Sequence, residues 1–171
     1  MGEGDRDAYQ ELLKRYASRL HHFALRLTRN TAEAEDIVQE TFMRLWVHAG
    51  EFDPKARATT WLHRIAHNLA VDRLRARGRL AELDEDAEPV SGSSSQAVLL
   101  DAKRGAEGLH RALDAMSERQ STAIVLVHLH GLSGKEAADV MGIGEAALES
   151  LLSRGRRTLK ARLGVAVVEG N

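Results

Sequence analysis

The sequence has no cysteine, which excludes disulfide frameworks and thiolate metal sites and fits a reducing compartment. Proline occurs twice, at Pro54 and Pro89, and aromatic residues make up 4% of the 171 residues, so the composition favours helices. The longest strongly apolar run, residues 123–127, is far shorter than the roughly 20 residues that cross a bilayer. The acidic, polar N-terminus does not resemble a signal peptide. We therefore expect a soluble, cytoplasmic protein without membrane insertion.

Net charge is also small, at −1, but this average hides a division along the chain. Residues 1–80 hold 14 Lys/Arg against 11 Asp/Glu, residues 81–101 hold none against six, and residues 102–171 hold ten against eight. The acidic part includes AELDEDAEPVSGSSS (81–95), which has too little apolar surface to offset the entropy of ordering the chain. The pattern predicts an acidic flexible linker at 81–95 between two small helical domains, residues 1–80 and 96–171.

The first basic block begins with two helices that each have one apolar face. In residues 8–27, apolar side chains recur every three or four positions, which predicts a buried stripe. That stripe comprises Leu12, Leu13, Tyr16, Leu20, Phe23, Ala24 and Leu27. Thr31 is expected to cap the second helix and Gly50 to end it. The second helix is expected to bury Ile37, Val38, Phe42, Leu45 and Trp46.

A third helix follows a predicted loop at 51–58 and reads ATTWLHRIAHNLAVDRLRARGR (58–79). Its predicted core face is Trp61, Leu62, Ile65, Ala66, Leu69 and Leu74, which leaves His63, Arg64, His67, Asn68 and the terminal arginines more exposed. The segment from Lys55 to Arg79 contains seven Lys/Arg and one acid, a local excess of +6 that suits phosphates. The alternative is a solvated helix face whose arginines favour the C-terminal end of the helix dipole.

Signs of catalysis or metal binding are weak. His63 and His67 have the spacing of helical zinc ligands, but neither a third ligand nor the general-base glutamate of a metalloprotease accompanies them. The sequence contains no phosphate-binding glycine loop and no nucleophile signature, and the carboxylates at 82–88 lie in the predicted linker. The sequence therefore predicts a protein without metal or cofactor that is not an enzyme.

The second basic block predicts a helix-turn-helix. A helix over 96–116 and an almost entirely apolar one ending at Gly131 come first, and Ser117 with Gln120 and Ser133 with Glu136 have the spacing of capping boxes. A short helix, GKEAADVMG, is then joined by a glycine-containing turn to a long helix beginning near Glu145. The expected apolar clamp between the two helices is Ala137, Val140, Ile143, Leu148 and Leu152.

The order of these segments resembles a known family. AEDIVQETFMRLW (34–46), TTWLHRIAHNLAVDRLR (59–75) and LSGKEAADVMGIGEAALESLLSRGRRTLK (132–160), with an acidic stretch between the last two, are similar to segments of an extracytoplasmic-function (ECF) sigma factor. The resemblance implies a bacterial initiation subunit that binds core RNA polymerase and recognises −10 and −35 promoter DNA. It also implies an anti-sigma factor as a further partner.

Carried over by position, the resemblance implies three sets of binding residues. Contacts to the polymerase would come from Asp36, Gln39, Glu40 and Arg44, while Phe42 and Trp46 are expected in the core. Contacts to the unpaired −10 strand would come from Lys55, Arg57, Thr59, Thr60, Arg64, His67, Asn68 and Arg75, with Trp61 either stacking on a base or anchoring the core. Contacts to the −35 duplex would come from Lys135, Glu145, Ala146, Glu149, Ser150, Ser153, Arg154, Arg157 and Lys160.

Some features depart from the family pattern. Met116-Ser117 stands where many members have Leu-Pro, and Ala147 and Glu149 stand where common relatives have threonine and a cation. A carboxylate at Glu149 can accept a hydrogen bond from a cytosine amino group, so the −35 base preference stays open. The acidic linker either imitates nucleic acid inside the polymerase or serves as a solubilising spacer.

Two other classes of protein fit parts of the same sequence. One is a regulator with a single DNA-binding helix-turn-helix and an N-terminal sensory or dimerisation domain, which would bind its operator tightly without polymerase. The other is an interaction protein whose helical blocks bind only another protein.

Overall fold

The computed structural model of the protein describes residues 3–48, 57–83 and 100–164, with side chains described for 6–48, 57–78 and 107–164. The chain divides into two compact units, Met1–Ser93 (unit 1) and Ser94–Asn171 (unit 2). All regular elements within the described ranges are helical, which confirms the prediction of an all-α fold with two helical domains. Residues 81–83 of the predicted linker belong to a helix, and its remainder lies outside the described residues.

Unit 1 contains three helices, α1 (Glu3–Thr28), α2 (Thr31–Val47) and α3 (Ala58–Leu83), each in contact with the other two. Because apolar residues recur every three or four positions in each helix, each helix presents one face to a shared core. The buried core side chains are Leu20, Phe23, Ala24, Leu27, Ala34, Ile37, Phe42, Leu45, Leu62, Ala66, Leu69 and Ala70.

The junction of α1 and α2 corrects the predicted cap. Asn30, and not Thr31, caps α2, since its side chain accepts a hydrogen bond from the Glu33 N–H at 3.1 Å. Arg29, with a φ of 53°, turns the chain between the helices. Thr28 Oγ1 donates to the Ala24 carbonyl at 2.9 Å and closes the end of α1. The predicted end of α2 at Gly50 lies outside the described residues.

Two predicted burial assignments in unit 1 are wrong. Leu13, predicted in the buried stripe of α1, is 39% exposed. His63, predicted on the exposed side of α3, is fully buried, with its ring edge-on to Phe23 at a centroid distance of 5.4 Å. The reason is that α3 packs against α1 as well as α2, which gives it a wider buried face than a single apolar stripe suggests.

Unit 2 contains α4 (Leu100–Asp114), α5 (Glu118–Ile124), α6 (Gly134–Met141) and α7 (Glu145–Leu163). The last helix, α7, packs against each of the other three. A wider helical turn, Val125–Leu129, continues α5, and the His130 N–H donates to the Val125 carbonyl five residues back at 2.9 Å. Gly131, with a φ of 70°, ends this segment as predicted.

The helix-turn-helix of unit 2 is formed by α6 and α7, as predicted. Ser133 Oγ accepts from the Glu136 N–H at 3.2 Å, and the Glu136 carboxylate accepts from the Ser133 N–H at 2.8 Å, which completes the predicted capping box. Gly142 ends α6 in the left-handed region at a φ of 64°, where a side chain would be strained. In the predicted clamp, Ala137, Val140, Leu148 and Leu152 are buried and Ile143 is half-buried.

Close packing between α7 and α5 depends on a glycine inside α7. A Cβ at Gly155 would lie 2.6 Å from Ile124 Cγ1 and 3.0 Å from its Cδ1. Gly155 and Ile124 are both buried, so the backbone of α7 approaches α5 more closely than any residue with a side chain allows. Gly155 therefore sets how deeply α7 is seated in unit 2.

Candidate polymerase and nucleic-acid interfaces

One face of α7 is exposed along its whole length. Leu148, Leu152 and Leu159 turn into unit 2, and the opposite side is left to solvent. The residues predicted to contact duplex DNA are all exposed: Lys135, Glu145, Ala146, Glu149, Ser150, Ser153, Arg154, Arg157 and Lys160. A helix of this kind, with one buried side and cations near its C-terminal end, has the form needed to enter a major groove.

Two polar groups on this face have partners within the protein. Glu149 Oε2 lies 3.6 Å from Arg156 Nη2, and its Oε1 lies 3.7 Å from the position that a Cβ on Gly134 would take, beside the first turn of α6. The Ser150 hydroxyl donates to the Ala146 carbonyl at 3.2 Å. The sequence did not indicate either contact. The exposed ion pair between Glu149 and Arg156 adds little stability.

The predicted −10 residues of α3 separate into different faces. Thr60, Arg64 and Asn68 follow one another at intervals of four residues and share a helix face with Arg75. Arg64, Asn68 and Arg75 are exposed, and Thr60 is half-buried. Arg57 precedes the helix and is exposed. Thr59 and His67 are half-buried, and Lys55 lies outside the described residues.

Two arginines of α3 bind the junction of α1 and α2 and are only partly exposed, contrary to the predicted exposure of the terminal arginines. Arg77 Nη2 donates to the Thr28 carbonyl at 2.8 Å and to Glu33 Oε2 at 2.7 Å. Arg73 Nη1 donates to the Glu33 carbonyl at 2.9 Å. These contacts hold the first turn of α2 against α3, so less of the local excess of positive charge is available to phosphates than the sequence suggested.

Burial favours the neutral form of the two histidines of α3 by lowering their pKa values. Burial lowers the pKa of His63 below its ordinary value, and the charge of Arg19 lowers it further, against a hydrogen bond with the Thr59 carbonyl. Burial also lowers the pKa of His67, against a hydrogen bond with the Asn68 side chain. His67 Nδ1 is enclosed without a hydrogen-bond partner among the described residues. No group of three or more His, Asp or Glu in the described ranges is arranged to hold a metal.

The stability of unit 1 is therefore expected to fall in mild acid. Unfolded histidine titrates near pH 6.5, whereas the pKa values of His63 and His67 in the folded protein lie lower. At pH values between the folded and unfolded pKa, the unfolded state therefore binds more protons than the folded state. Stability is fully present above about pH 6.5 and is lost as the pH falls through the folded pKa values. Denaturant unfolding followed by tryptophan fluorescence should show this, because both tryptophans, Trp46 and Trp61, lie in unit 1.

The variant His63→Asn keeps a side-chain N–H and cannot titrate, so it should reduce the slope of stability against pH. The exposed His22, in α1 of the same unit, is the matched position for a control, His22→Asn. An unchanged slope in His63→Asn would contradict the conclusion that His63 causes part of the loss of stability in acid.

The predicted polymerase residues meet in one shallow groove on α2, which we call the α2 groove. Its lining residues are Asp36, Gln39, Glu40, Met43, Arg44, Val47, His48 and Arg73. Met43 is 60% exposed and Val47 72% exposed, although both are apolar. The sequence prediction missed both residues. The available signal was their position outside the apolar stripe of α2, on the same side as Asp36, Gln39 and Glu40.

Of the two aromatic residues of α2 that were expected in the core, Phe42 lies in it and Trp46 is only partly covered. Phe42 is 2% exposed, and Trp46 is half-buried with its ring edge-on to Tyr9 at 5.0 Å. Tyr9 also meets Phe42 edge-on at 6.1 Å. These contacts anchor α1 on the inner side of α2 and leave the groove side free for a partner.

Comparisons with known proteins place these two units in a family. Sigma-70 region 2 matches residues 12–80, and Sigma-70, region 4 matches residues 106–159. The chain is 32% identical over 162 residues to the ECF RNA polymerase sigma factor SigM of Mycobacterium tuberculosis, covering 94% of this chain and 80% of that protein. The chain belongs to the ECF sigma factors.

Two further similar proteins support the same family assignment. The chain is 34% identical over 157 residues to the ECF RNA polymerase sigma factor SigE of Mycolicibacterium smegmatis, covering 90% of this chain and 60% of that longer protein. Its fold is similar to the sigma factor RpoE of Bartonella quintana, solved in complex with the anti-sigma factor NepR, with a TM-score of 0.76 and 31% identity. That similarity covers 94% of this chain and 99% of the solved one.

The sigma factor is thus a transcription initiation factor that binds core RNA polymerase and directs it to promoters through −10 and −35 recognition. Unit 1 contains the region 2 match and unit 2 the region 4 match. The presence of both regions distinguishes it from a regulator with a single helix-turn-helix. In the described ranges, no helix has the length and apolar character to cross a membrane.

Proposed function

We propose that three helices of this sigma factor divide initiation among them: α2 docks on core polymerase, α3 holds the unpaired −10 strand and α7 reads the −35 duplex. The corresponding domains are residues 1–80 and 96–171, and the linker between them follows α3, which ends at Leu83. The observation that carries the proposal is that each helix has one buried face and one solvent-facing side whose residues suit its ligand.

For polymerase docking, the α2 groove combines apolar and charged groups. Met43 and Val47 supply exposed apolar surface whose burial stabilises a complex, since apolar area removed from water contributes about 25 cal/mol per Å². Asp36, Gln39, Glu40 and Arg44 supply the surrounding polar contacts, which favour one partner and one orientation. Arg44 forms an ion pair with Glu40, which presents its guanidinium at the rim of the groove.

For the −10 element, α3 offers Thr60, Arg64, Asn68 and Arg75 along one face, with Arg57 preceding it. Cations attract the strand backbone, and an amide has donors and acceptors for base edges. His67 stays in the proposed set as a neutral, half-buried group beside Asn68, and Lys55 also stays in it.

For the −35 element, α7 presents Glu149 near its N-terminal end and Arg154, Arg157 and Lys160 further along. We assign base reading to Glu149, whose carboxylate can accept a hydrogen bond from a cytosine amino group, and phosphate binding to the cations. Replacing Glu149 by glutamine should then change the base preference at one −35 position, while an equal loss at all promoters would exclude a reading role.

The variant Arg157→Gln is expected to weaken promoter binding at all sequences and to reduce the salt dependence. Losing one phosphate contact lowers the slope of log K against log salt by about 1. The slope should be measured with holoenzyme between low and moderate salt, with Arg119→Gln as the control, since Arg119 is an exposed arginine of α5. Equal slopes in Arg157→Gln and the unmodified protein would contradict the phosphate role.

Two properties of the whole protein belong to the same proposal. It acts in the cytoplasm, where RNA polymerase is found, and it binds without catalysing a reaction of its own. An anti-sigma factor restrains it by covering the α2 groove or the exposed face of α7. The solved RpoE–NepR complex supports this, because NepR is an anti-sigma factor.

The absence of cysteine provides a direct test of the division among helices. A single cysteine introduced at Asn68 or Ser153 is a unique attachment point for a DNA-cleaving iron chelate. With holoenzyme on a promoter selected from genomic DNA, the Asn68 probe should cut near −10 and the Ser153 probe near −35. Cleavage of the same DNA segment by both probes would contradict the proposal.

A further inference from the structure

The first turn of α3 is tied to α1 by a hydrogen bond between two hydroxyl groups. Thr59 Oγ1 donates to the phenol oxygen of Tyr16 at 2.9 Å, across 43 residues of sequence. Both side chains are half-buried. Tyr16 was predicted only as part of the apolar stripe of α1, and no binding role was assigned to it.

The carbonyl of the same threonine is also held. His63 Nδ1 lies 2.7 Å from the Thr59 carbonyl oxygen, which can only accept, so Nδ1 carries the proton. His63 is fully buried and packs edge-on against Phe23 of α1. Two groups thus fix Thr59, one through its side chain and one through its backbone.

This contact directs Thr59 away from the exposed face of α3. Successive helical residues are rotated by about 100°, so Thr59 and His63 lie on the flank beside the face formed by Thr60, Arg64 and Asn68. The hydroxyl of Thr59 is accordingly engaged within unit 1. The predicted role of Thr59 at the −10 strand is therefore better explained by an indirect effect than by direct contact with DNA.

We propose that Tyr16 is a positioning residue for the −10 strand and acts through Thr59. The proposal rests on the proposed role of α3. Helix ends fray, so a contact from the first turn to a neighbouring helix limits its movement. The bond from Thr59 to Tyr16 holds this turn against α1, and with it Thr60 on the strand-binding face.

A double-mutant cycle of Tyr16→Phe and Thr59→Val tests the proposal, because each change removes one hydroxyl group and keeps the shape. The full-length variants are bound to core polymerase, and the dissociation constant is measured for a fork-junction DNA with an unpaired −10 strand. The DNA comes from a promoter that unmodified holoenzyme selects from genomic DNA. Tyr9→Phe is the matched control, since Tyr9 is the only other tyrosine and also lies in α1.

Each single variant is expected to weaken binding about fivefold, the value of one ordinary hydrogen bond, and the double variant should also lose about fivefold and not about 25-fold. Tyr9→Phe should bind normally. Binding of a duplex with only the −35 element should be unchanged in all variants.

Other outcomes would overturn the inference. Loss in Thr59→Val alone would mean that the Thr59 hydroxyl contacts DNA directly. Additive losses, no loss in either variant, or equal losses for the −35 duplex would also contradict a positioning role. If the unmodified holoenzyme selects no promoter, the proposed function itself fails, and that result is distinct from any outcome of the cycle.

Discussion

Replacing Gly155 by alanine is expected to destabilise unit 2, although the same replacement inside most helices stabilises them. Alanine normally gains about 0.5–1 kcal/mol over glycine in a helix interior. At Gly155 the added Cβ would lie 2.6 Å from Ile124 Cγ1, with Met116 Sδ at 3.6 Å. Ile124 is buried and β-branched, so it cannot swing aside, and overpacking of this kind costs about 1–3 kcal/mol.

The measurement for Gly155→Ala is denaturant unfolding followed by circular dichroism and by tryptophan fluorescence in parallel. Dichroism reports both units, whereas fluorescence follows unit 1, which contains both tryptophans. The dichroism transition should shift to lower denaturant and the fluorescence transition should not. The control is Gly78→Ala in α3, where a Cβ meets no atom within 4 Å and a gain is expected. A gain in stability for Gly155→Ala would contradict the close approach of α7 and α5.

Replacing Met43 by glutamate is expected to lower the affinity for core RNA polymerase at least about thirtyfold, because central interface residues cost about 2 kcal/mol or more when lost. The change removes an apolar side chain that is 60% exposed in the α2 groove. It also places a carboxylate among Asp36 and Glu40, where a partner surface suited to acids would have to accept a third negative charge. The fold of unit 1 should be unaffected, since Met43 faces solvent.

A competition assay with fluorescently labelled sigma factor on purified core enzyme measures this effect. Met43→Leu should bind almost normally because it keeps the apolar surface. Leu13→Glu is the second control, as it places the same charge on an exposed apolar residue of α1. Equal losses in Met43→Glu and Leu13→Glu would indicate a general effect of charge and would remove the groove from the docking surface.

Periodicity and capping predicted the helices well because these signals are local. The Ser133–Glu136 box and the glycine-containing turn after α6 depend only on neighbouring residues, and both are confirmed. The one-sided burial of α7 follows similarly from the spacing of Leu148, Leu152 and Leu159.

Contacts between helices could not be predicted from the sequence, because they depend on which helix faces pack against each other. The burial of His63 requires that α3 pack against α1. The hydrogen bond from Arg77 to Glu33 requires that the start of α2 lie beside the C-terminal part of α3. The same limit applies to the α2 groove. The sequence pattern predicted that the charged residues of the groove share one helix. Only the packing of the helices determines that Met43 and Val47 stay exposed.

In vitro transcription tests the central claim most directly. The purified chain is added to core RNA polymerase with genomic DNA as template, and the 5′ ends of the transcripts are mapped. We expect defined start sites that share −10 and −35 elements, appear only when the chain is present and are strongly reduced with Met43→Glu. Core polymerase that gives the same transcripts with and without the chain, or a chain that binds specific DNA equally well without polymerase, would contradict it.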